Sequence, residues 1–387
     1  MKLLIITHTY GITSSGKATF EVVNALAEQG VLVDVICSRS IPIQASSRVN
    51  VYEIKQLLSR PSRLFKFLGN LIGRDLNYLF WRVSVIRFYK KFLGETGYDF
   101  VYGRGSPVGA LLAAGDLAKI GKIPLGLHFA DPIPATKEWQ SNKKERKKLI
   151  NEVSNVIKMS SLVTFVTQEM LEYQFRILDL KEFPTTLLLP NPIPEYISLN
   201  RDMKSRSVGL SIGFIGQLGS VRNPLPLIEA VNRLNVEGNK IDLLFVGTRR
   251  TDILKRIQQT SRYFIKFISY QNDLAETLNN LDMLVDIDSD NDEQVFISNK
   301  LMEYLATDKA ILSISTDNSP SRRLTVSLNE LFYRAHNNSN SIIKAINKYM
   351  LDEQTQNAAV SKERNILRGE LSKENIAHSL VKALGSV

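Results

Sequence analysis

The chain holds a single cysteine, Cys37, among 387 residues, which excludes an internal disulfide and a thiolate metal cluster. A reducing, cytoplasmic setting is the simple expectation. Only four histidines occur, and their scatter gives no metal-ligand spacing. No segment approaches the roughly 18 consecutive apolar residues that cross a bilayer. The opening MKLLIITHTYG is apolar for only a few residues and lacks a small-residue cleavage site, so it reads as a first β-strand and not as a signal peptide. Zinc-finger spacings and basic heptads are missing as well, so no nucleic-acid partner is expected. There is no low-complexity tract and no internal sequence repeat.

What is present is ordinary globular composition over a length that suits two domains of roughly 150–200 residues each. The formal net charge of +10 fits anionic partners such as nucleotide phosphates or anionic lipid. The first forty residues spell strand, loop, helix, strand: KLLIIT, HTYGITSSG, a helix from Lys17 to Gln29, then a strand from Val31 to Cys37. Phe20, Val22, Val23, Leu26 and Ala27 form the apolar stripe of that helix. Gly30 stands where a left-handed cap is wanted. VLVDVIC is nearly all apolar, as a parallel strand covered on both faces must be.

The pattern continues through strands at 99–102, 123–129, 162–166 and 185–190. It restarts with SIGFIG, IDLLFVG, FIKFIS, MLVDI and AILSIS, separated by helical stretches. Two such series predict an α/β protein of two doubly wound Rossmann-like domains facing a central cleft. The expected domains are 1–195 and 205–369, joined near Asn191–Ser207, with a C-terminal helix in 370–387 returning to the first.

Three segments carry residue types suited to chemistry. GITSSGKA at 11–18 nearly spells the phosphate loop G-x-x-x-x-G-K-[ST], but Ala18 replaces the magnesium-binding hydroxyl. With LVDID at 284–288 as an acidic strand it would give a P-loop-like triphosphatase. Otherwise Gly16 permits close backbone approach at a helix N-terminus. FIGQLGSVRNP at 214–224 runs a strand into Gly216 and delivers Arg222, whose planar fork suits a diphosphate. In FISNKLMEYLATDKAILSIS at 296–315, Ser298 is a candidate N-cap and Lys300 and Glu303 share a helix face. Lysine suits a phosphate, and a carboxylate suits two vicinal ribose hydroxyls.

These segments resemble the GT-B glycosyltransferases, and in particular family 4, the retaining sugar transferases. GKATFEVVNALAEQGVLVDVIC resembles that family's opening segment, and LVTFVTQEM, LLLPNPIPE and NKLMEYLATDKAIL are similar to three later ones. The resemblance implies that Arg222 and Lys300 bind the donor diphosphate, beside Gly216 and Gln217, and that Glu303 holds the donor ribose. It places His128 and Asp131 at the acceptor and the reacting sugar, and Gly16 and Lys17 near the donor phosphate or the acceptor. The donor would be a nucleoside-diphosphate sugar, with no obligatory cofactor or metal. The chain departs from the family pattern at Gln217, where an arginine is usual, at Pro192 and Asp308, where glycine is common, and at Val295, where a second glutamate is common. Glu293 or Asp292 could stand in for that glutamate.

Residues 60–92 interleave Arg60, Arg63, Lys66, Arg74, Arg82, Arg87, Lys90 and Lys91 with aromatics from Phe65 to Phe92, and Lys143, Lys144, Arg146, Lys147 and Lys148 form a second basic cluster. Such faces suit peripheral contact with an anionic membrane and a polyprenyl-linked or glycan acceptor. The expected activity is sugar transfer in cell-surface polysaccharide assembly. The alternatives are a non-catalytic scaffold of the same fold and the triphosphatase.

Overall fold

The computed structural model describes residues 1–387 apart from 42–46, 57–68, 70–74, 106, 137–142, 181, 183, 196–208, 219–221, 250–262, 270–273, 289–292 and 355–361. The candidates Arg60, Arg63, Lys66, Arg74 and Asp292 lie outside the described residues. The chain divides into two compact units, Met1–Pro192 with Leu371–Val387, and Ile193–Glu370.

The first unit is built on a seven-stranded, wholly parallel sheet. Its strands in chain order are β1 (Lys2–Thr7), β2 (Leu32–Cys37), β3 (Val49–Glu53), β4 (Phe100–Arg104), β5 (Leu125–Phe129), β6 (Leu162–Phe165) and β7 (Thr185–Leu188). In space they run β3-β2-β1-β4-β5-β6-β7. The chain winds outward from β1 in one direction, then returns and winds the other way from β4. The helices are α1 (Ser14–Glu28), α2 (Leu76–Phe88), α3 (Gly109–Gly121), α4 (Lys143–Lys158) and α5 (Gln168–Leu178). Leu3, Leu4, Ile5 and Ile6 are all fully buried, so β1 is covered on both faces.

Helix α1 begins at Ser14, three residues ahead of the position read from the sequence, because Thr13 accepts the Gly16 N–H at 3.1 Å and caps it. It ends in a Schellman motif: Gly30, at φ +86°, donates to Ala27 O, and Val31 donates to Leu26 O.

The second unit repeats the winding in a six-stranded parallel sheet. The strands are β8 (Leu210–Ile215), β9 (Ile241–Val246), β10 (Ile265–Ile268), β11 (Met283–Ile287), β12 (Ala310–Ile314) and β13 (Phe332–Ala335), ordered β10-β9-β8-β11-β12-β13. Its helices are α6 (Leu225–Val236), α7 (Leu274–Asn279), α8 (Asn299–Leu305), α9 (Pro320–Leu324), α10 (Ser339–Gln354) and α11 (Lys362–Glu370). Phe214, Val231, Phe245, Val285, Leu312 and Ile346 lie in one buried apolar cluster on this sheet.

The last helix, α12 (Lys373–Leu384), belongs to the first unit, where it packs on α1. Gln29 Nε2 donates to Glu374 O at 2.9 Å, and Ile376, Ala377, Leu380 and Leu384 are buried. Both sheets therefore have a point where strand order reverses, between β1 and β4 and between β8 and β11. In open α/β sheets ligands collect beyond the carboxyl ends of strands at such points.

Candidate functional site

In the second unit β8 runs into Gly216, whose φ of +102° is a left-handed conformation that glycine takes without strain. The Gly216 N–H bonds Val246 O at 2.7 Å, and its carbonyl accepts from the Thr248 hydroxyl. A Cβ there would come within 2.6 Å of Lys300 Cε. The absent side chain is thus the seat of the lysine stem. Lys300 Nζ sits 5.4 Å from the Phe214 ring centroid.

Arg222 reaches the same neighbourhood from the loop ahead of α6. That loop closes on Asn223, whose Oδ1 accepts the Leu225 N–H at 3.1 Å. Helix α8 supplies Lys300 and Glu303. It is tied to the sheet by the Ile215 N–H, which donates to the Tyr304 hydroxyl at 3.1 Å.

The charges of this group act on one another. Burial, then the Arg222 guanidinium, push the Lys300 ammonium down, while Asp286 and Glu303 pull it up. Asp286, in β11, is 1% exposed, and neither carboxylate oxygen has a hydrogen-bond partner. Burial raises its carboxyl above the ordinary 3.8, opposed by Arg222, the Ser298 hydroxyl and Lys300. Ser298 precedes α8 but its side chain makes no cap bond. The hydroxyl lies instead beside Asp286, without reaching full hydrogen-bond geometry. Ser298 thus stands at the N-cap position, as expected, but without a side-chain cap bond. The Tyr304 phenol is raised by burial.

Helix α8 is also clamped from behind. Arg364, 1% exposed, donates to Tyr304 O at 2.8 Å and to Lys309 O at 2.9 Å. Arg368 donates to Leu305 O at 2.6 Å and meets Asp308 at 3.0 Å. These arginines satisfy the carbonyls that a helix C-terminus leaves open and complement its negative pole. Both come from α11, which was not singled out from the sequence; the i,i+4 spacing of Arg364 and Arg368 was the available signal.

The structure therefore brings Gly216, Arg222, Lys300 and Glu303 together. Gln217 lies next to them, its Nε2 donating to Gly247 O. Val295 is buried at 4% exposure, so an apolar contact stands where the second family glutamate would be. Glu293 is half-buried in the loop before α8.

The other candidates lie in the first unit. Gly16 and Lys17 sit inside the first turn of α1. Their N–H groups bond the Thr13 hydroxyl and the Thr13 carbonyl, at 3.1 and 2.7 Å. The close approach that Gly16 permits is to Thr9, whose carbonyl oxygen lies 3.0 Å from a built Cβ. A phosphate loop needs those N–H groups turned outward. LVDID falls in the other unit, with Asp286 among the cations above and Asp288 accepting from the Ser319 hydroxyl at 2.6 Å. The triphosphatase reading loses its geometry at both ends.

His128, in β5, is fully buried, with Nδ1 2.9 Å from Thr164 Oγ1. Burial first, then Arg104, hold its imidazole well below the ordinary 6.5. Asp131 is half-buried just beyond the strand. Of the basic and aromatic stretch, Trp81 is buried and donates to Ile54 O at 2.7 Å, and Arg82 pairs with Asp116. Phe80, Val83 and Phe92 are exposed near Arg87, Lys90 and Lys91. No helix among the described residues is long and apolar enough to cross a membrane.

No family profile matches the sequence, and no curated protein matches it. Solved structures do. Sucrose-phosphate synthase from Thermosynechococcus elongatus superposes with a TM-score of 0.72 at 13% identity, covering 100% of this chain and 98% of that one. HepE of Anabaena, solved in complex with UDP, gives 0.68 at 15% identity with 100% of both chains covered. A putative UDP-N-acetylglucosamine 2-epimerase from Listeria monocytogenes gives 0.57 at 13% identity, over 100% of this chain and 96% of that one. At these identities the likeness shows the fold, two Rossmann-like domains of the GT-B type.

Proposed function

We propose that this chain is a glycosyltransferase that takes a sugar from a nucleoside-diphosphate sugar and passes it to a glycan or lipid-linked acceptor. The observation that carries the reading is the cluster at the reversal point of the second sheet, where Lys300 is seated on Gly216 and coupled to Arg222 and Glu303. Two cations at the carboxyl ends of parallel strands suit a pyrophosphate. The Arg222 fork would take two phosphate oxygens, and Lys300 would add a point charge. Glu303 would accept the two ribose hydroxyls.

Sugar transfer needs the departing diphosphate stabilised as the glycosidic bond breaks. Fixed positive charge in a partly buried site does this well, because it needs no reorganisation during the reaction. This reading asks for no obligatory metal, since Arg222 and Lys300 supply the charge. His128 and Asp131 remain the candidates for the sugar and acceptor side. Exposed Phe80, Val83 and Phe92 beside Arg87, Lys90 and Lys91 support peripheral contact with an anionic membrane, where a lipid-linked acceptor of surface polysaccharide assembly would be met.

The test is binding followed by turnover. UDP or GDP should raise the Tm of the wild-type protein, and Arg222→Ala and Glu303→Ala should each abolish most of the shift. A lost charge-assisted contact is worth about 1.5–3 kcal/mol, roughly ten- to a hundredfold in affinity. No shift with any nucleoside diphosphate defeats the reading. A UDP-sugar that is bound and epimerised, with no transfer or hydrolysis, would assign the other chemistry found on this fold. Binding with no turnover at all would make the chain a non-catalytic scaffold.

A further inference from the structure

The reversal point of the first sheet carries a charge of its own, and no sequence motif announced it. Arg104 is the last residue of β4, and it is 2% exposed. It stands in register with Thr7, the last residue of β1, on one side and with His128 on the other, and His128 stands in register with Thr164. Four polar side chains thus cross four adjacent strands in one row, at the end of the sheet where ligands collect.

A guanidinium keeps its proton in any protein environment, so Arg104 is a buried charge. Its Nε donates to Thr19 Oγ1 at 3.3 Å, while Nη1 is buried without a partner. Burial lowers it, and among the described residues no carboxylate offsets that; only the Tyr102 phenol acts in the other direction. Thr19 lies in α1, whose first turn contains no acidic residue, so that turn supplies the guanidinium no counter-charge. A buried charge with no counterion is costly, and proteins seldom keep one unless something pairs with it.

His128 beside it is unsatisfied in the complementary sense. Thr164 has one hydroxyl proton and three neighbours: Leu127 O at 3.3 Å, Tyr102 Oη at 2.6 Å and His128 Nδ1 at 2.9 Å. The carbonyl can only accept, so the threonine donates there. The arrangement that satisfies all three contacts has it accept from the tyrosine and from Nδ1–H. The Tyr102 ring reaches across β5 because position 126 is glycine; a Cβ there would lie 2.5 Å from the ring. That proton count leaves Nε2 as a lone pair, and it is buried without a partner. Among the described residues the row presents an unpaired cation next to an unpaired acceptor.

We propose that the first unit holds an oxyanion subsite, in which Arg104 pairs with the phosphate or carboxylate of a sugar and His128 Nε2 accepts one of that sugar's hydroxyls. Calling this sugar the acceptor rests on the transferase reading; the subsite itself does not. The same chemistry admits a phosphorylated sugar or a uronic acid, and a neutral sugar lacks the group that Arg104 requires.

Calorimetric titration of the full chain with glucose 6-phosphate, glucuronate and glucose decides it. At least one charged sugar should bind saturably and glucose should not; which charged sugar binds tells phosphate from carboxylate. Arg104→Met should weaken that binding by at least about tenfold and leave the UDP shift in place, whereas Arg222→Ala should do the reverse. Equal binding of glucose, intact binding in Arg104→Met, or no binding of either charged sugar overturns the subsite. Loss of the UDP response with charged-sugar binding intact defeats the transferase reading alone. Should Arg104→Met fail to fold, nitrogen NMR of the wild-type histidines replaces it. His128 should be the Nδ1–H tautomer, and its Nε2 resonance should move on adding the charged sugar. The opposite tautomer or an unmoved Nε2 overturns the proposal.

Discussion

Lys300 lies where the side chain of any residue other than glycine at position 216 would be, with 2.6 Å between its Cε and a built Cβ. Gly216→Ala meets that contact and a φ of +102° together. The substitution should cost about 1–3 kcal/mol of stability from backbone strain alone. It should also displace the ammonium and reduce the UDP shift. Denaturant unfolding and thermal shift read the two effects separately, and a variant as stable as wild type with full UDP response would refute the contact.

Arg364 bridges the Tyr304 carbonyl of α8 and the Lys309 carbonyl beyond its end. Arg364→Ala should destabilise the second unit by about 2–4 kcal/mol, since a buried and a part-buried acceptor lose their donors. Arg364→Lys should recover little, because a single ammonium cannot reproduce the fork. The denaturation midpoint checks stability, and weaker UDP binding in both variants would show that the clamp positions Lys300 and Glu303.

Asp286 makes the second unit pH-dependent in an unusual direction. Its folded carboxyl is raised above the unfolded 3.8, so between those values the native state binds more protons than the unfolded one. Stability from this group is therefore lost as the pH rises from 3.8 through the folded value, and is flat above it. Asp286→Asn should remove that slope and gain on wild type as the pH rises. The comparison is a series of unfolding curves from acid to neutral pH; parallel curves would contradict the assignment.

His128 acts in the opposite direction in the first unit. Its imidazole is lowered well below 6.5, so below that value the unfolded chain takes up a proton that the native state refuses. Stability falls as the pH drops from 6.5 toward the folded value. His128→Gln should flatten this acid limb while leaving neutral stability changed mainly by the lost Thr164 bond, about 1 kcal/mol. Following the unfolding of the first unit between pH values on either side of 6.5 tests it.

The parallel sheets were readable because their strands are short apolar runs bounded by glycine and polar loops, as in KLLIIT and LVDVIC. Glycine 30 was readable as a cap because its place after the last apolar turn has one common use. The start of α1 was not, since Thr13 and Ser14 look like loop residues until the cap bond forms. The grouping of Gly216, Arg222, Lys300 and Glu303 was legible through loop spacing and a shared helix face. Arg104 was not, and Asp286 was legible only as part of LVDID, in a different role. Each is one charged residue at a strand end, and what makes it unusual is total burial and the lack of a partner, which only the packed structure reveals.

Helix α12 lies on α1, and so the first unit is made from both ends of the chain. During synthesis the buried side chains of Ile376, Ala377, Leu380 and Leu384 are the last of that unit to leave the ribosome. Until they arrive, the face of α1 that they cover is open to water, although every strand of its sheet has long been made. The second unit, whose residues are contiguous, is complete first.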